Sequence, residues 1–300
     1  MEHMPQPGQP ETLAPGIQRV LAPNPGPMTY WGTNTYLVGD RDLAVIDPGP
    51  ADAAHRAALQ AAIAGRPVVA VVVTHAHRDH ADLAAGLASD LGAPVAAFGP
   101  LEAGRSPVMA RLALSGLLGG GEGVAPGFAP DVTLPDGAVL GGQDWTLEAL
   151  HMPGHFGNHL CLRMGRFGFS GDLAMGWAST LISPPDGDLA QFRASCTRLR
   201  DLGLDRLLPG HGAPIEDPAA RLDWLLAHRA ERGAQVQAAL ATGPATATDL
   251  AARIYHDTPP GLLPAAARNV LAHLIDLAEQ DQAIAPEPLS ADGLFRPADP

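Results

Sequence analysis

The chain has 300 residues, 46% of them hydrophobic, and a formal net charge of −13. That length suits one large domain, or a large one with a small companion, while the acidic balance repels nucleic acid and anionic membranes over the surface as a whole. All 19 basic residues are arginine, which excludes a P-loop lysine; the two cysteines exclude a disulfide framework or a zinc knuckle; and neither a signal peptide nor an apolar run near the roughly 20 residues of a membrane span is present, so a cytoplasmic protein is expected.

Residues 1–16 are proline-rich and predict an extended or mobile arm. "TNTYLVG" and "DLAVIDPG" follow as two strands joined by a turn at Gly39-Asp40-Arg41. "ADAAHRAALQAAIAG" is an alanine-rich helix that stops at Gly65. "PVVAVVVTH" is a buried strand, "DHADLAAGLASDLG" a second helix and "APVAAFGP" another short strand. This order predicts a sheet with helices packed on it. The glycine-rich run 116–127 reads as a flexible surface insertion, with a flap over a pocket as the alternative. Short strands then return, followed by a helix ("DLAQFRASCTRLRDLG"), a strand ("DRLLPGHG") and a long amphipathic helix ("DPAARLDWLLAHRAERGAQVQAAL"). Beyond about Gly243, two helices and "AIAPEPLSADGLFRPA" form a helix–turn–helix–wing pattern, with Val270, Leu271, Leu274, Leu277 and Ala278 on one helical face. Arg253 and Arg268 are the only arginines in those two helices. A packing or dimerisation module that walls a pocket is therefore expected in place of a duplex-DNA reader.

The stretch "VVVTHAHRDHADL" concentrates the chemistry. A strand presents ligands from its end, and His75, His77, Asp79 and His80 leave the valine strand within six residues. One metal rarely takes four ligands from so short a segment; two adjacent metals fit better, and neutral imidazoles with carboxylates suit zinc, manganese or iron. Three further residues lie where predicted strands end, each after a glycine: His155 in "MPGHFGNH", Asp172 in "FSGD" and His211 in "LLPGHG".

That ordered series resembles the metallo-β-lactamase superfamily. "NPGPMTYWGTNTYLVG", "VVVTHAHRDH", "PGHGAPI" and "RIYHDTPPGLLPAAARNVLAHL" look like its β-lactamase-like protein 2 subgroup. The resemblance implies an α/β fold: an αββα sandwich over residues 17–227, after a mobile arm at 1–16, with a small C-terminal winged-helix-like domain at 228–300. It implies that His75, His77 and His155 hold one metal ion, that Asp79, His80 and His211 hold another, and that Asp172 bridges them. Asp47, in "LAVIDPG", would support the ligand loop by hydrogen bonding. Met152 and Phe156 stand where the wider superfamily has threonines, which predicts a more apolar pocket wall. The cofactors implied are two divalent ions, zinc first, with manganese or iron as alternatives.

Two divalent ions against Asp79, Asp172 and a bridging hydroxide leave a local charge of about +1, which draws a carbonyl, carboxylate or phosphate oxygen. The activity implied is hydrolysis by that hydroxide, with no serine or cysteine nucleophile. Asp79 and Asp172 are the expected catalytic carboxylates. His159 reads either as a proton donor to the leaving group or as a rim histidine bonded to backbone. Cys161 and Cys196 read as small buried apolar residues, and Tyr30 and Trp31 as pocket or packing residues. Phosphodiester cleavage of single-stranded RNA stands slightly ahead of thioester, ester or lactone hydrolysis of the glyoxalase-II-like type; a mononuclear iron persulfide dioxygenase is third. The partners expected are a small anionic or single-stranded RNA substrate and a possible second copy of the chain, with no duplex DNA and no membrane.

Overall fold

The structure, a computed structural model, describes residues 4–121 and 123–298. It is a four-layer αββα sandwich that carries a small helical unit with a two-stranded wing at its C-terminal end. The first sheet runs β1 (Pro10–Ala14), β2 (Ile17–Leu21), β3 (Asn34–Val38), β4 (Leu43–Ile46), β5 (Val68–Val72), β6 (Val95–Ala97) and β7 (Val132–Thr133), in chain order. The second holds β8 (Val139–Gly141), β9 (Thr146–His151), β10 (Leu160–Met164), β11 (Phe167–Gly171) and β12 (Arg206–Pro209), with β12 beside β11 at one edge. Pairing is antiparallel from β1 to β4 and parallel from β4 to β7.

Side-chain alternation builds the layers. Tyr36, Val38, Ile46 and Val72 point between the sheets and meet Leu160, Leu162, Phe169 and Leu208 of the second sheet. The intervening Leu37, Val45 and Val71 point outward beneath α1 (Ala53–Ile63), with α2 (Arg78–Ala81) and α3 (Ala84–Leu91) on the same side. The chain next forms α4 (Pro107–Leu114). The outer face of the second sheet is covered by α5 (Leu189–Asp201) and the first half of α6 (Pro218–Leu240), through Phe192, Cys196, Leu222 and Leu225. Both cysteines are free and buried.

The second half of α6 changes partners. Val236 and Leu240 join α7 (Ala247–Ile254), α8 (Leu263–Glu279) and Val108, Met109 and Leu112 of α4 in a separate core. The expected boundary at 227/228 thus falls inside one continuous helix, which belongs to both units. α7 opens with a capping box between Thr246 and Asp249, and the wing is the pair β13 (Ala283–Ile284) and β14 (Arg296–Pro297). No helix among the described residues is long and apolar enough to cross a membrane.

Two expectations need correction. Residues 10–14 are the edge strand of the first sheet, paired with β2 and tied by Glu11 to Arg19, where a mobile arm was predicted over 1–16; Met1–His3 lie outside the described residues. The glycine-rich run 116–127, of which Glu122 lies outside the described residues, is stitched down: Arg78 N donates to Gly123 O, Ala125 N to Ala76 O and Gly120 N to Ser183 Oγ.

Candidate metal centre

Parallel pairing between β4 and β5 places their C-terminal ends side by side, and the chain leaves both there. Asp47 follows β4 in the left-handed region, at φ 51°, which an aspartate tolerates better than most residues. Its carboxylate accepts three hydrogen bonds: Thr74 N at 2.7 Å, Thr74 Oγ1 at 2.8 Å and His80 Nδ1 at 2.9 Å. One side chain therefore holds both ends of the segment that carries His75, His77, Asp79 and His80. Those four residues are all buried, as are His155, Asp172 and His211.

The structure gathers the seven predicted ligands into two groups, one of His75, His77, His155 and Asp172 and one of Asp79, His80 and His211. Within each group the donor atoms lie within 4.8 Å of one another. Asp172 sits between them: Oδ2 is 3.7 Å from His155 Nε2 and 3.4 Å from His211 Nε2, and Oδ1 is 3.5 Å from His80 Nε2. Asp79 Oδ2 is 3.2 Å from His211 Nε2 and 3.5 Å from His80 Nε2.

The glycines that precede the isolated ligands have steric reasons. A Cβ at Gly171 would lie 2.7 Å from His159 Nε2, and one at Gly210 would lie 2.4 Å from Asp172 Oδ1. At 210 the need is for space beside Asp172, whereas Gly171 also has a positive φ of 46°.

The proton inventory indicates what the groups fit. Leu181 O can only accept, so His155 Nδ1 donates to it, at 2.7 Å, and Nε2 presents a lone pair. Thr74 Oγ1 already donates to Asp47, so His75 Nδ1 donates to that oxygen and its Nε2 is likewise a lone pair. Both lone pairs face His77 Nδ1, at 3.0 and 2.9 Å. One N–H on His77 satisfies one of them at most; a cation satisfies all three nitrogens. Burial, reinforced by neighbouring imidazoles, holds His75 well below the ordinary histidine range and His77 at about 3, and burial also lowers His155. All three stay neutral, as metal ligands must.

The second group is electrically different. His80 Nδ1 donates to Asp47, His211 Nδ1 lies 3.1 Å from Gly32 O, and the two Nε2 atoms face each other at 3.3 Å. Burial opposes charging either ring, but the carboxylates outweigh it: Asp79, Asp172 and Asp47 raise His80, and Asp172 and Asp79 push His211 up to about 10. The same carboxylates that favour protonated rings are the charges a divalent ion would balance. Asp172 Oδ1, buried without a hydrogen-bond partner, completes a donor set suited to such ions.

His159 departs from the catalytic expectation. It is fully buried and absent from the pocket wall, and its Nε2 accepts the backbone N–H of Asp172 at 3.1 Å. It does not itself face the pocket, nor does it lie at the rim; it holds the backbone that carries Asp172. Met152 and Phe156 are also wholly buried and do not line the pocket. Phe156 instead packs behind the ligand rings, 5.0 Å from His77 and 6.0 Å from His75 between centroids. Tyr30 and Trp31 stay outside the wall as well; Tyr30 stacks at 4.7 Å on Trp177, which does line it.

Five of the seven ligands, His77, Asp79, His155, Asp172 and His211, form the floor of a cavity of about 270 Å³. Its wall takes Met28 from the first half of the chain, Met175, Trp177 and Leu181 from the segment after β11, and Tyr255 and Leu262 from the C-terminal unit. Among the described residues no arginine lines it. Sequence reasoning expected the C-terminal unit to wall a pocket but named none of these wall residues, and it missed the carbonyls of Gly32 and Leu181 that set the histidine tautomers. Backbone acceptors carry no side-chain signature, so nothing in the chain announced them.

Residues 28–211 match the metallo-beta-lactamase superfamily, and residues 246–287 match the beta-lactamase associated winged helix domain. A beta-lactamase-like protein 2 homolog of Drosophila melanogaster is 30% identical over 290 residues, 89% of each chain. An atrochrysone carboxyl ACP thioesterase of Passalora fulva is 29% identical over 85% of this chain and 72% of its own. Among solved structures, a metallo-beta-lactamase family protein from Thermus thermophilus superposes with a TM-score of 0.76 at 26% identity, covering 95% of this chain and 100% of its own.

Proposed function

The chain belongs to the metallo-β-lactamase superfamily, and from that premise we propose that it is a two-metal hydrolase of thioesters or activated esters with an apolar acyl portion. The observation that carries this reading is the pocket wall: methionine, tryptophan, leucine and tyrosine side chains with no arginine, directly above the His/Asp floor. Phosphodiester cleavage of RNA, placed slightly ahead on sequence, falls behind, because nucleic-acid affinity comes chiefly from cations on phosphates and this wall offers none. A relative named as a thioesterase supports the same direction. The second donor group supports two ions over a mononuclear iron dioxygenase.

His75, His77, His155 and Asp172 would hold one ion, and Asp79, His80 and His211 the other, with Asp172 shared. When bound, such ions lower the pKa of water towards about 7 and polarise the carbonyl under attack. The chain's residues do the rest. The apolar wall excludes bulk water and orients the acyl group against the floor. Apart from the ligands, Tyr255 is the one titratable side chain among the described residues that lines the pocket, and burial raises its pKa so that it stays neutral. Among the described residues no carboxylic acid or imidazolium is free there to protonate a leaving group, so the site suits one that departs unaided near neutral pH. A thiolate, from a thiol of pKa about 8.5, meets that requirement better than an alkoxide.

The test is turnover by zinc- or manganese-loaded protein on a decanoyl or aryl thioester, S-lactoylglutathione, bis-p-nitrophenyl phosphate and single-stranded RNA. We expect kcat/KM on the apolar thioester to exceed that on the phosphodiester by on the order of 10²-fold, about 2.7 kcal/mol of differential transition-state binding. Faster cleavage of RNA than of any thioester would overturn the reading.

A further inference from the structure

We infer that Asn269 and Arg229 form a clamp through which the C-terminal unit positions two of the metal ligands, His155 and Asp172. The inference rests on the two-metal reading above.

Three consecutive residues of the segment after β11 carry it. Thr180 Oγ1 lies 2.9 Å from Asp172 O and 3.1 Å from Leu173 O, so it holds the backbone that presents Asp172. Leu181 O accepts from His155 Nδ1 at 2.7 Å and sets that ring's tautomer and direction. Ile182 N donates to Asn269 Oδ1 at 3.0 Å. Arg229 closes the loop: one guanidinium nitrogen donates to Thr180 O and the other to Asn269 Oδ1 at 3.2 Å. The residues on both sides of Leu181 are therefore held from outside, by an asparagine of α8 and an arginine of α6. Both donors converge on the same Asn269 oxygen, which fixes the orientation of that amide.

The cost of the arrangement points the same way. Arg229 is 2% exposed, and its hydrogen-bond acceptors among the described residues, Asn269 Oδ1 and Thr180 O, are both neutral. Burying an unpaired guanidinium is expensive, and an apolar residue would satisfy packing alone. What the guanidinium does here, and an apolar side chain cannot, is hold the Thr180 carbonyl and Asn269. Asn269 also lines the pocket beside Leu181, so the clamp and the ligands share one wall. Outer hydrogen-bond partners of metal ligands typically contribute about 10–100-fold in metal affinity. The clamp brackets Leu181, whose carbonyl bonds His155 directly, whereas it reaches the shared Asp172 only through the Thr180 hydroxyl on its backbone, so the effect falls mainly on the ion that His155 shares with His75 and His77.

The experiment is cobalt(II) titration of the full chain against a competing chelator, followed by the d–d absorption band and checked by circular dichroism for folding. Asn269→Ala is expected to weaken one of two cobalt equivalents by about 10–100-fold, the same equivalent that His155→Ala removes, and the other by less than about threefold. Asn269→Asp, which keeps an oxygen acceptor for Ile182 N and Arg229, is expected to stay within about threefold of the parent. Asn269→Leu, isosteric but without an acceptor, replaces the alanine variant if that one fails to fold. Two equivalents of parental affinity in the acceptor-less variant overturn the clamp and leave the two-metal reading standing. An Asn269→Asp loss as large as that of the acceptor-less variant also overturns the clamp, since packing alone would then explain it. A parent chain that binds no cobalt overturns both.

Discussion

The two donor groups of the floor use similar side chains and hold them in opposite electrical states. In the His75/His77/His155 half, burial keeps every imidazole neutral and aims three nitrogens at one point. In the Asp79/His80/His211 half, burial is outweighed by carboxylates, and the imidazoles hold protons. The difference lies in what surrounds the rings. Phe156 and neighbouring histidines back the first half, whereas Asp47, Asp79 and Asp172 surround His80. An ion entering the first half meets free lone pairs; one entering the second must displace protons.

Asp172 is where the comparison breaks most sharply, because it touches both halves. Asp172→Ala is expected to abolish uptake of the second equivalent and lower turnover by on the order of 10³-fold, about 4 kcal/mol in the barrier; a variant that retains parental kcat would remove Asp172 from the mechanism. Asp47→Asn comes next. It keeps the shape but loses the charge beside His80, so metal affinity should fall by about 10–100-fold, mainly in the second half. Chelator competition that shows equal losses in both halves would contradict the asymmetry.

The pH dependence of metal-free stability sharpens it further. His211, at about 10 in the fold, keeps its proton where the unfolded chain has lost it. Its stabilisation is complete below the unfolded pKa of about 6.5 and disappears as pH rises through about 10. His77, at about 3 in the fold, does the reverse: the unfolded chain takes up a proton first, so stability falls as pH drops from about 6.5 to about 3. Urea unfolding of chelator-treated protein should therefore show a maximum near pH 6.5, and His211→Asn should flatten only the alkaline limb. The smallest effect concerns His159. His159→Gln, which keeps an acceptor for the Asp172 amide, is expected to stay within about threefold of the parent in kcat, and His159→Ala to lose about tenfold with an unshifted pH–rate profile. A shifted profile would reinstate His159 as a proton donor.

Much of this was legible in the chain. The valine run of β5 set a strand end, and the ligands cluster where predicted strands stop, because a sheet terminates all its parallel strands in one place. A sheet with helices packed on it, and the C-terminal wing, were readable from the order and periodicity of the elements, whereas the αββα sandwich followed from the family resemblance. The N-terminal arm was misjudged because prolines mask edge-strand pairing, which needs only alternate N–H groups. For His159 the chain left a proton donor and a backbone-bonded histidine both open, because four residues past a ligand says nothing about which side of the strand faces the pocket; the structure shows the bond to backbone, in the interior in place of the rim.

The sequence by itself determined the ligand types and the places where the backbone turns, since both depend on local chemistry: imidazoles, carboxylates, and glycines that leave room beside them. Only the tertiary structure decided which rings stay neutral and which hold a proton, that Arg229 and Asn269 reach the ligand wall, and that no arginine lines the pocket. Those outcomes depend on groups up to 179 residues apart in the chain, such as His211 and Gly32. Their burial and mutual charge exist only once the two sheets and the C-terminal unit have closed on one another.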